Sequence, residues 1–355
     1  MPRPITATID LSALEHNLGV AKRIAPRSRV MAVVKANAYG HGLVRVAQAL
    51  SSADGFAVLE LDAAIRLRNA GHKQTILLLE GFFSVEELPL IEQHCLAIVV
   101  HCAEQIRTLT SYAGGRRFEV FLKINTGMNR LGLKPEEIPA ALDALKSNRA
   151  ILGVVLMTHF ASADGDEGIA EPLRVFNEAA AGLRLPRSLA NSPALLRYPE
   201  THADWVRPGL MLYGASPLPK VSAEELGLRP AMTLSSAIVA IQRLQAGERV
   251  GYRGRFTAEM PMTVGIVASG YADGYPRGAP TGTPVLVDGV RTRTLGLVAM
   301  DMLCVDLTPI AKPRIGTPVT LWGDGLPVEE VAKSAGRVSY ELLCALPPRV
   351  RVVEK

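Results

Sequence analysis

The sequence predicts an α/β protein in which an N-terminal (β/α)8 barrel is followed by a mostly-β C-terminal domain. Eight short apolar runs alternate with stretches of helical spacing over the first two thirds of the chain. Beyond that point, short strands separated by Gly, Pro and Asp-Gly turns replace the alternation. The length of 355 residues suits two domains. We therefore predict a barrel over 1–230 and a β-rich domain over 231–355.

The eight apolar runs are rich in β-branched residues and have the length of buried strands. They lie at 31–36, 56–61, 75–80, 96–100, 118–124, 152–159, 187–192 and 209–214. Helices are predicted between them, for example over 61–71, where apolar residues recur every three or four positions before a glycine. Another is predicted over 134–148, with acids in its first turn and a lysine near its end. A doubly wound sheet stays open as an alternative.

The second domain is predicted from segments such as "TPVLVDGV" and "TPVTLWGDG", which alternate short apolar runs with turn residues. The short segment 7–11 precedes the first helix and is compatible with pairing in either domain. Tyr340, near the end of the chain, lies in a segment that we interpret as a strand.

The composition excludes several classes of protein. Hydrophobic residues make up 48% and charged residues 21% of the chain, so a large core is expected and disorder is not. The net charge of +5 is spread along the chain, which suits an anionic small molecule better than a nucleic acid. No apolar run reaches the ~18 residues of a membrane span. We predict no nucleic-acid or membrane partner and no metal site.

The N-terminus "MPRPITATID" lacks the apolar stretch of a secretion signal. The four cysteines include no CxxC pair, and their apolar neighbours predict buried free thiols in a reducing compartment. These two observations predict a cytoplasmic protein.

Polar residues follow several of the predicted strands. Because the carboxyl ends of parallel barrel strands meet on one face, these side chains are expected to converge there. They are Lys35, Lys123, Asn125, Arg130, His159, Asn191, Ser192, Arg207 and Tyr213.

Lys35 follows the apolar run of the first barrel strand. A buried ammonium is costly, so this lysine must be paired, have a lowered pKa, or be used covalently. Lysine forms Schiff bases with carbonyl compounds, including pyridoxal 5'-phosphate (PLP). A PLP site also needs a partner for the pyridine nitrogen, a group against the ring and donors for the phosphate. Arg207, His159 and Ser192 with the Gly209 amide can supply these.

A set of motifs in a fixed order resembles the alanine racemase family. The motifs are "AVVKANAYGHG", "KINTGMNRLG", "LMTHFASAD", "ANSPA", "DWVRPGLMLYG", "GYRGRF", "GYADGYPRG", "VAMD" and "SYELLC". The resemblance implies a PLP-dependent enzyme with an N-terminal TIM-type barrel and a C-terminal β domain. It also implies a head-to-tail homodimer, in which each active site includes residues from the partner's β domain.

The resemblance implies that the catalytic residues are Lys35, which binds PLP, and Tyr252, which comes from the partner subunit. Arg207 would contact the pyridine nitrogen. Cofactor-binding residues are implied to be Lys35, Tyr39, Arg130, His159, Asn191, Ser192, Arg207, Gly209, Leu210 and Tyr340. Substrate-binding residues are implied to be Arg130, Met300 through its backbone amide, and Tyr271, with Arg277 at the substrate entrance.

Two further positions follow from the same resemblance. Lys123 matches a position that can be carbamylated in the family. Leu297 departs from the family pattern, because an arginine often stands three residues before the position of Met300 ("GRVAMD", here "GLVAMD"). One polar contact of the substrate entrance is therefore in doubt.

The implied reaction is the interconversion of L-alanine and D-alanine through a PLP external aldimine by a two-base mechanism. Lys35 and Tyr252 would exchange protons on opposite faces of the substrate. Because tyrosine has an ordinary pKa near 10, a cationic environment of Arg207 and His159 is expected to lower it. Arg207 can only donate hydrogen bonds, so it favours an unprotonated pyridine nitrogen.

Three alternatives stay open at this point. A PLP-dependent racemase of another small amino acid would share this sequence pattern. A fold-related PLP decarboxylase would carry a carboxylate where this chain has Arg207. A non-enzymatic PLP-binding barrel would lack the domain at 231–355. The physiological role is either the supply of D-alanine for peptidoglycan or alanine catabolism.

Overall fold

The computed structural model describes residues 3–115 and 118–355, which form a closed parallel barrel and an eight-stranded sheet. The strands are β1 Thr6–Ile9, β2 Arg29–Val33, β3 Gly55–Val58, β4 Thr75–Leu78, β5 Ala97–Val100, β6 Phe118–Lys123, β7 Ile151–Met157, β8 Arg187–Ser188, β9 Trp205–Val206, β10 Met232–Leu244, β11 Arg249–Val250, β12 Phe256–Thr257, β13 Met262–Val267, β14 Pro284–Val287, β15 Val290–Leu295, β16 Leu303–Asp306, β17 Pro318–Trp322 and β18 Arg351–Glu354.

The helices lie mostly between the strands of the barrel. They are α1 Leu11–Ile24, α2 Lys35–Tyr39, α3 Leu43–Ala49, α4 Leu61–Asn69, α5 Leu88–Gln93, α6 Ala103–Ser111, α7 Ile138–Ser147, α8 Ala170–Ala179, α9 Ser192–Arg197, α10 Val328–Ser334 and α11 Ser339–Cys344. The predicted helix at 61–71 is confirmed as α4, and Gly71 follows it with φ +92°. The predicted helix at 134–148 begins with a 3-10 turn, Pro135–Glu137, and continues as α7.

Strands β2 to β9 close the barrel with parallel pairing throughout. The four residues of β3 and of β5 are all buried, as expected for strands that are covered on both faces. The predicted (β/α)8 barrel is confirmed. Since the barrel is closed, the alternative of an open doubly wound sheet is wrong.

The prediction of the eighth barrel strand at 209–214 is wrong. The strand is β9, and Leu210–Tyr213 form a buried 3-10 turn. Pro208, which follows β9, has no N–H to extend the ladder, and its carbonyl instead accepts from the Val33 N–H at 3.0 Å. Apolar composition alone does not distinguish a short strand from a buried helical turn.

The predicted seventh strand at 187–192 is strand only over β8. The chain turns into α9 at Ser192, and the Asn191 side chain caps this helix by accepting from the Ala194 N–H at 3.1 Å. Pro193 occupies the first turn, where a missing N–H costs no helical hydrogen bond.

The sheet of the second domain has the order β13-β16-β15-β14-β17-β10-β1-β18 and is largely antiparallel. The segment near 7–11 pairs within this sheet: β1 runs antiparallel to β10 and parallel to β18. The first and last strands of the chain are therefore neighbours. The boundary at 230 stays a prediction, because β1 belongs to the second sheet although it precedes the barrel.

Two smaller expectations are wrong. Tyr340 lies in the short helix α11, whose buried residues Ser339, Leu342 and Leu343 have helical spacing. The cysteines are free, but Cys95 and Cys344 are exposed rather than buried, and Cys344 lies on the wall of the barrel cavity described below. Within the described ranges, no helix is long and apolar enough to cross a membrane.

Asn17 in α1 ties this helix to the chain that leaves the barrel. Its side chain is buried and donates to the carbonyls of Leu212 at 3.0 Å and Arg229 at 2.8 Å. It also accepts from the Arg229 N–H at 2.8 Å. One amide side chain therefore satisfies three backbone groups at the connection between the two sheets.

Replacing Asn17 with Ala should lower the free energy of unfolding by about 2–4 kcal/mol, because three backbone groups lose a buried partner. Urea denaturation at fixed protein concentration measures this change. Glu15→Ala, on the exposed side of the same helix, is the matched control and should change stability by less than ~0.5 kcal/mol. Equal effects of the two substitutions would contradict the assigned role of Asn17.

Candidate active site

A cavity of about 1140 Å³ lies where the carboxyl ends of the barrel strands meet. It collects most of the predicted site residues that belong to the barrel, and it also includes Tyr340 from α11. The predicted residues on its wall are Lys35, Tyr39, Lys123, Arg130, His159, Asn191, Ser192, Arg207, Gly209, Leu210 and Tyr340. Residues from distant parts of the chain thus converge as the barrel geometry predicts.

Lys35 begins α2, which is not an ordinary helix. Ala36, Asn37 and Ala38 have φ of 52°, 52° and 54°, and Tyr39 follows with φ 50°. The left-handed region is unfavourable for residues with a Cβ, at about 1–2 kcal/mol each. Hydrogen bonds oppose this strain: the Asn37 side chain accepts from the Leu43 N–H at 2.9 Å, and its carbonyl accepts from the Gly42 N–H at 2.9 Å. The turn carries Tyr39 toward the cavity floor.

Tyr39 and Ser192 form a cradle of hydroxyl groups around Gly209. The Gly209 N–H donates to Ser192 Oγ at 2.8 Å, so the Ser192 hydroxyl can donate its own proton to a ligand. A Cβ at Gly209 would lie 2.7 Å from the Tyr39 hydroxyl, so a side chain there would fill the cradle. The Tyr39 ring stacks on Tyr213 with centroids 4.5 Å apart, and Tyr340 lies 5.8 Å away. Burial raises the pKa of Tyr340 to about 12, so its hydroxyl stays protonated.

Arg207 is buried and its guanidinium bonds only to neutral oxygens among the residues that the structure describes. Nη1 donates to Ser188 Oγ at 2.8 Å, and Nη2 donates to the carbonyls of Thr158 at 2.7 Å and Leu189 at 3.3 Å. Burial lowers the pKa of Arg207 to about 10, which still leaves the side chain charged at neutral pH. A buried cation without a carboxylate is costly unless the site serves a ligand.

Two neighbours respond to this positive field. Burial, followed by the charges of Arg207 and Arg130, lowers the pKa of Lys123 to about 8. Burial, with Arg207 as the next cause, lowers the pKa of His159 to about 3. The expectation of a cationic His159 is therefore wrong: the imidazole is uncharged at neutral pH, because protonation would add charge to a dry, cationic site.

One wall of the cavity was not predicted. Glu80 and His101 follow β4 and β5 and lie there with Gln105 and Phe82. Gln105 Nε2 donates to the carbonyls of Glu80 at 3.0 Å and Phe82 at 3.2 Å. Glu80 and His101 follow predicted strands in the same way as Lys35 does, so the strand-end rule was sufficient to find them.

Asn125 and Tyr213 of the barrel lie outside this cavity, and so do the predicted residues of the second domain other than Tyr340. Tyr252, Met300 and Tyr271 belong to the second domain, and they are 70%, 52% and 38% exposed. The Arg277 guanidinium lies 5.9 Å from the Tyr271 ring centroid, and Leu297 is also exposed. A single chain therefore does not bring these side chains to Lys35.

Comparison with known proteins agrees with this architecture. The family model "Alanine racemase, N-terminal domain" matches residues 9–217, and "Alanine racemase, C-terminal domain" matches residues 231–354. An alanine racemase of Nitrosospira multiformis is 60% identical over 99% of this chain and 100% of the relative. One of Nitrosomonas europaea is 57% identical over 99% of both chains.

Solved structures give the same result. The crystal structure of biosynthetic alanine racemase from Pseudomonas aeruginosa has a TM-score of 0.97 and 45% identity over 99% of both chains. Alanine racemase from Acinetobacter baumannii has a TM-score of 0.95 and 38% identity over 99% of this chain and 100% of that one.

The closed barrel, the β-rich second domain and a cavity that contains Lys35 together with Arg130 and Arg207 are the features of an amino-acid racemase. The matches cover nearly the whole chain, in both domains. The chain belongs to the alanine racemase family. The predictions of the fold class, the family and the enzyme class are confirmed.

His159 should remain unprotonated in the folded protein between about pH 8 and pH 5, whereas an unfolded histidine titrates near 6.5. NMR titration of ring-labelled histidine tests this, with His159→Gln to assign the signal and urea-unfolded protein as the reference. Because the folded pKa lies below the unfolded one, the unfolded chain binds more protons as the pH falls, and His159 then reduces stability. A folded midpoint near 6.5 would refute the assignment.

Proposed function

We propose that the protein interconverts L-alanine and D-alanine with PLP bound through Lys35, as a homodimer with shared active sites. The observation that carries this proposal is the convergence of Lys35, Arg207, His159 and the Ser192–Gly209 cradle in one cavity. Membership of the alanine racemase family supports alanine as the substrate. A cytoplasmic location remains a prediction from the sequence, and the physiological role stays open between the two alternatives.

The residues of the cavity fit PLP. The Lys35 amine can condense with an aldehyde. The hydroxyl groups of Tyr39 and Ser192 are donors beside a space that a side chain at Gly209 would fill, which suits a phosphate. Arg207 is a buried donor that an acceptor nitrogen can satisfy. The remaining proposed contacts are Arg130, His159, Asn191, Leu210 and Tyr340, which lie on the same wall.

When bound, PLP supplies an electron sink that makes the α-proton of an attached amino acid acidic. Arg207 would limit this sink, because a guanidinium can only donate and therefore favours an unprotonated ring nitrogen. A fold-related decarboxylase would place a carboxylate here, so the surroundings of Arg207 favour a racemase. His159 would lie against the ring without adding a second cation beside Arg207.

Arg130 and the Met300 amide are proposed to hold the substrate carboxylate. Arg130 lies on the cavity wall and provides a fork-shaped pair of donors. The Met300 N–H has no acceptor among the described residues. Since Met300 lies outside its own chain's cavity, this contact requires the partner subunit.

Inversion of a stereocentre needs one group on each face of the substrate. The Lys35 amine holds or releases a proton on one face, and the Tyr252 hydroxyl does so on the other. Tyr252 is mostly exposed and absent from the cavity of its own chain. The exposed apolar side chains of the second domain include Tyr252, Tyr271, Leu297, Met300 and Met302, and a partner barrel would cover them.

Lys123 is proposed to be carbamylated. Reaction with CO₂ requires the neutral amine, and a pKa of about 8 leaves roughly a tenth of this amine neutral at pH 7. The nitrogen forms a bond to the CO₂ carbon and loses one proton to solvent, so the product carries one negative charge, which offsets part of the positive charge of Arg207 and Arg130. The modification therefore relieves the repulsion that lowers the pKa of Lys123.

The cofactor is tested by absorbance and chemical trapping. The purified protein supplied with PLP should absorb as a coloured imine, and borohydride should fix the label on the peptide that contains Lys35. Lys35→Ala should abolish trapping and reduce racemisation by at least ~10³-fold. Lys73→Ala, an exposed lysine outside the cavity, is the control and should leave both unchanged. A label on another lysine would overturn the proposal.

Sharing of active sites is tested by complementation. Lys35→Ala and Tyr252→Phe homodimers should each be nearly inactive. A heterodimer of the two, isolated with two affinity tags, should regain roughly half of the unmodified activity, because one of its sites combines intact Lys35 with intact Tyr252. Absence of recovery, or a monomer in sedimentation, would exclude shared sites.

A further inference from the structure

Two loops of the second domain that the proposed function places in the partner's site are joined by their backbones. One is the 3-10 turn Tyr271–Asp273, and the other contains Met300. The N–H groups of Tyr271 and Ala272 donate to the carbonyls of Ala299 and Met300, both at 3.0 Å. A Cβ at Gly270 would lie only 2.3 Å from the Ala299 carbonyl oxygen. The two loops therefore move as one unit.

Asp273 lies at the base of this unit and its side chain is completely buried. One carboxylate oxygen accepts from the Gly270 N–H at 2.9 Å. The other accepts from Arg3 Nη1 at 2.5 Å and from Arg349 Nε at 2.8 Å. Burial alone raises the pKa of Asp273, but the two arginines outweigh this and leave it below its ordinary value, so the carboxylate is charged.

Both arginines continue to the Met300 loop. Arg349 Nη2 donates to the Asp301 carboxylate at 2.7 Å, and Arg3 Nη2 donates to the Asp301 carbonyl. Asp301 follows Met300 directly in the chain. The guanidinium groups thus bridge the Tyr271 turn to the Met300 loop. We call this group the Asp273 clamp (Arg3, Asp273, Asp301 and Arg349).

The clamp is built from both ends of the chain. Arg3 precedes β1 and Arg349 precedes β18, and these two strands are parallel neighbours with Thr6 opposite Arg351. The pairing of the strands brings the two guanidinium groups to the same carboxylate. None of the four clamp residues lies on the wall of the barrel cavity.

We propose that Asp273 is a positioning residue that, through Arg3 and Arg349, fixes the Met300 amide for substrate binding in the partner's active site. This inference rests on the proposed function, because it requires shared sites. The clamp acts on binding of the substrate carboxylate, and it leaves the proton-transferring groups of its own barrel untouched.

Homodimers that carry a single substitution test the role of the clamp. Asp273→Asn should raise KM for both alanine enantiomers about tenfold and change kcat less than ~2-fold, since a contact made equally in the ground and transition states alters KM alone. If Asp273→Asn folds poorly, Arg349→Gln breaks the same clamp and should raise KM in the same way. Arg291→Gln, which breaks an exposed ion pair with Glu330 in the same domain, is the matched control. Hydrogen exchange at the Tyr271 and Ala272 amides should accelerate in the clamp variants only.

Heterodimers then identify the chain on which the clamp acts. A chain with Lys35→Ala and Arg349→Gln is paired with an unmodified chain, so the only intact Lys35 receives the altered loop. KM should be raised. In the second pair, Lys35→Ala and Arg349→Gln lie on different chains, so the intact Lys35 receives an unaltered loop. KM should be normal.

The results separate the inference from the proposed function. Suppose that the Lys35→Ala and Tyr252→Phe chains complement each other, but KM is raised only when Arg349→Gln lies on the same chain as the intact Lys35. The clamp then does not act on the partner, and the inference is wrong. Unchanged KM in both clamp homodimers would also overturn it. If the complementation itself fails, shared sites are excluded and the inference is overturned together with them.

Discussion

The site depends on one guanidinium that is buried in the barrel without a carboxylate. Arg207 is held by the Ser188 hydroxyl and by two carbonyls, which orient it but do not neutralise it. Its charge therefore acts on the rest of the cavity. Together with burial, this charge lowers the pKa of His159, which stays uncharged, and the pKa of Lys123, so that more of its amine is neutral. A carboxylate at Ser188 would pair with Arg207 and remove its contribution to both pKa shifts, leaving that of burial.

The second constraint is conformational. Four consecutive residues with a Cβ hold left-handed dihedral angles after Lys35, and such strain persists only where the surroundings enforce it. The Asn37 hydrogen bonds and the packing of Tyr39 on Tyr213 provide this enforcement. Lys35 and Tyr39, which the proposed function assigns to PLP, both lie on the wall of the same cavity.

The sequence predicted the barrel well because its strands are covered on both faces and read as continuous apolar runs. The same property explains the error at 209–214, where a buried 3-10 turn has strand-like composition. The site residues of the barrel were also predictable, because the residues that follow each apolar run can be located in the sequence. The left-handed turn, the neutral His159 and the clamp at Asp273 were not, because they depend on burial and on contacts between residues far apart in the chain.

Because Tyr252 and Met300 are exposed, the two domains differ in how they hold their proposed site residues in place. The barrel buries Arg207, Lys123 and Ser192 within one chain, whereas Lys35 and His159 are half-buried at the cavity wall. Tyr252 and Met300 of the second domain are exposed, and in the proposed dimer another barrel would cover them. Their geometry would then have to be set by contacts within their own domain. Pairing of β1 with β18 provides a rigid base for this purpose. The first strand of the chain therefore supports the sheet of the second domain. If the sites are shared as proposed, the stability of that sheet affects substrate binding in the partner's barrel.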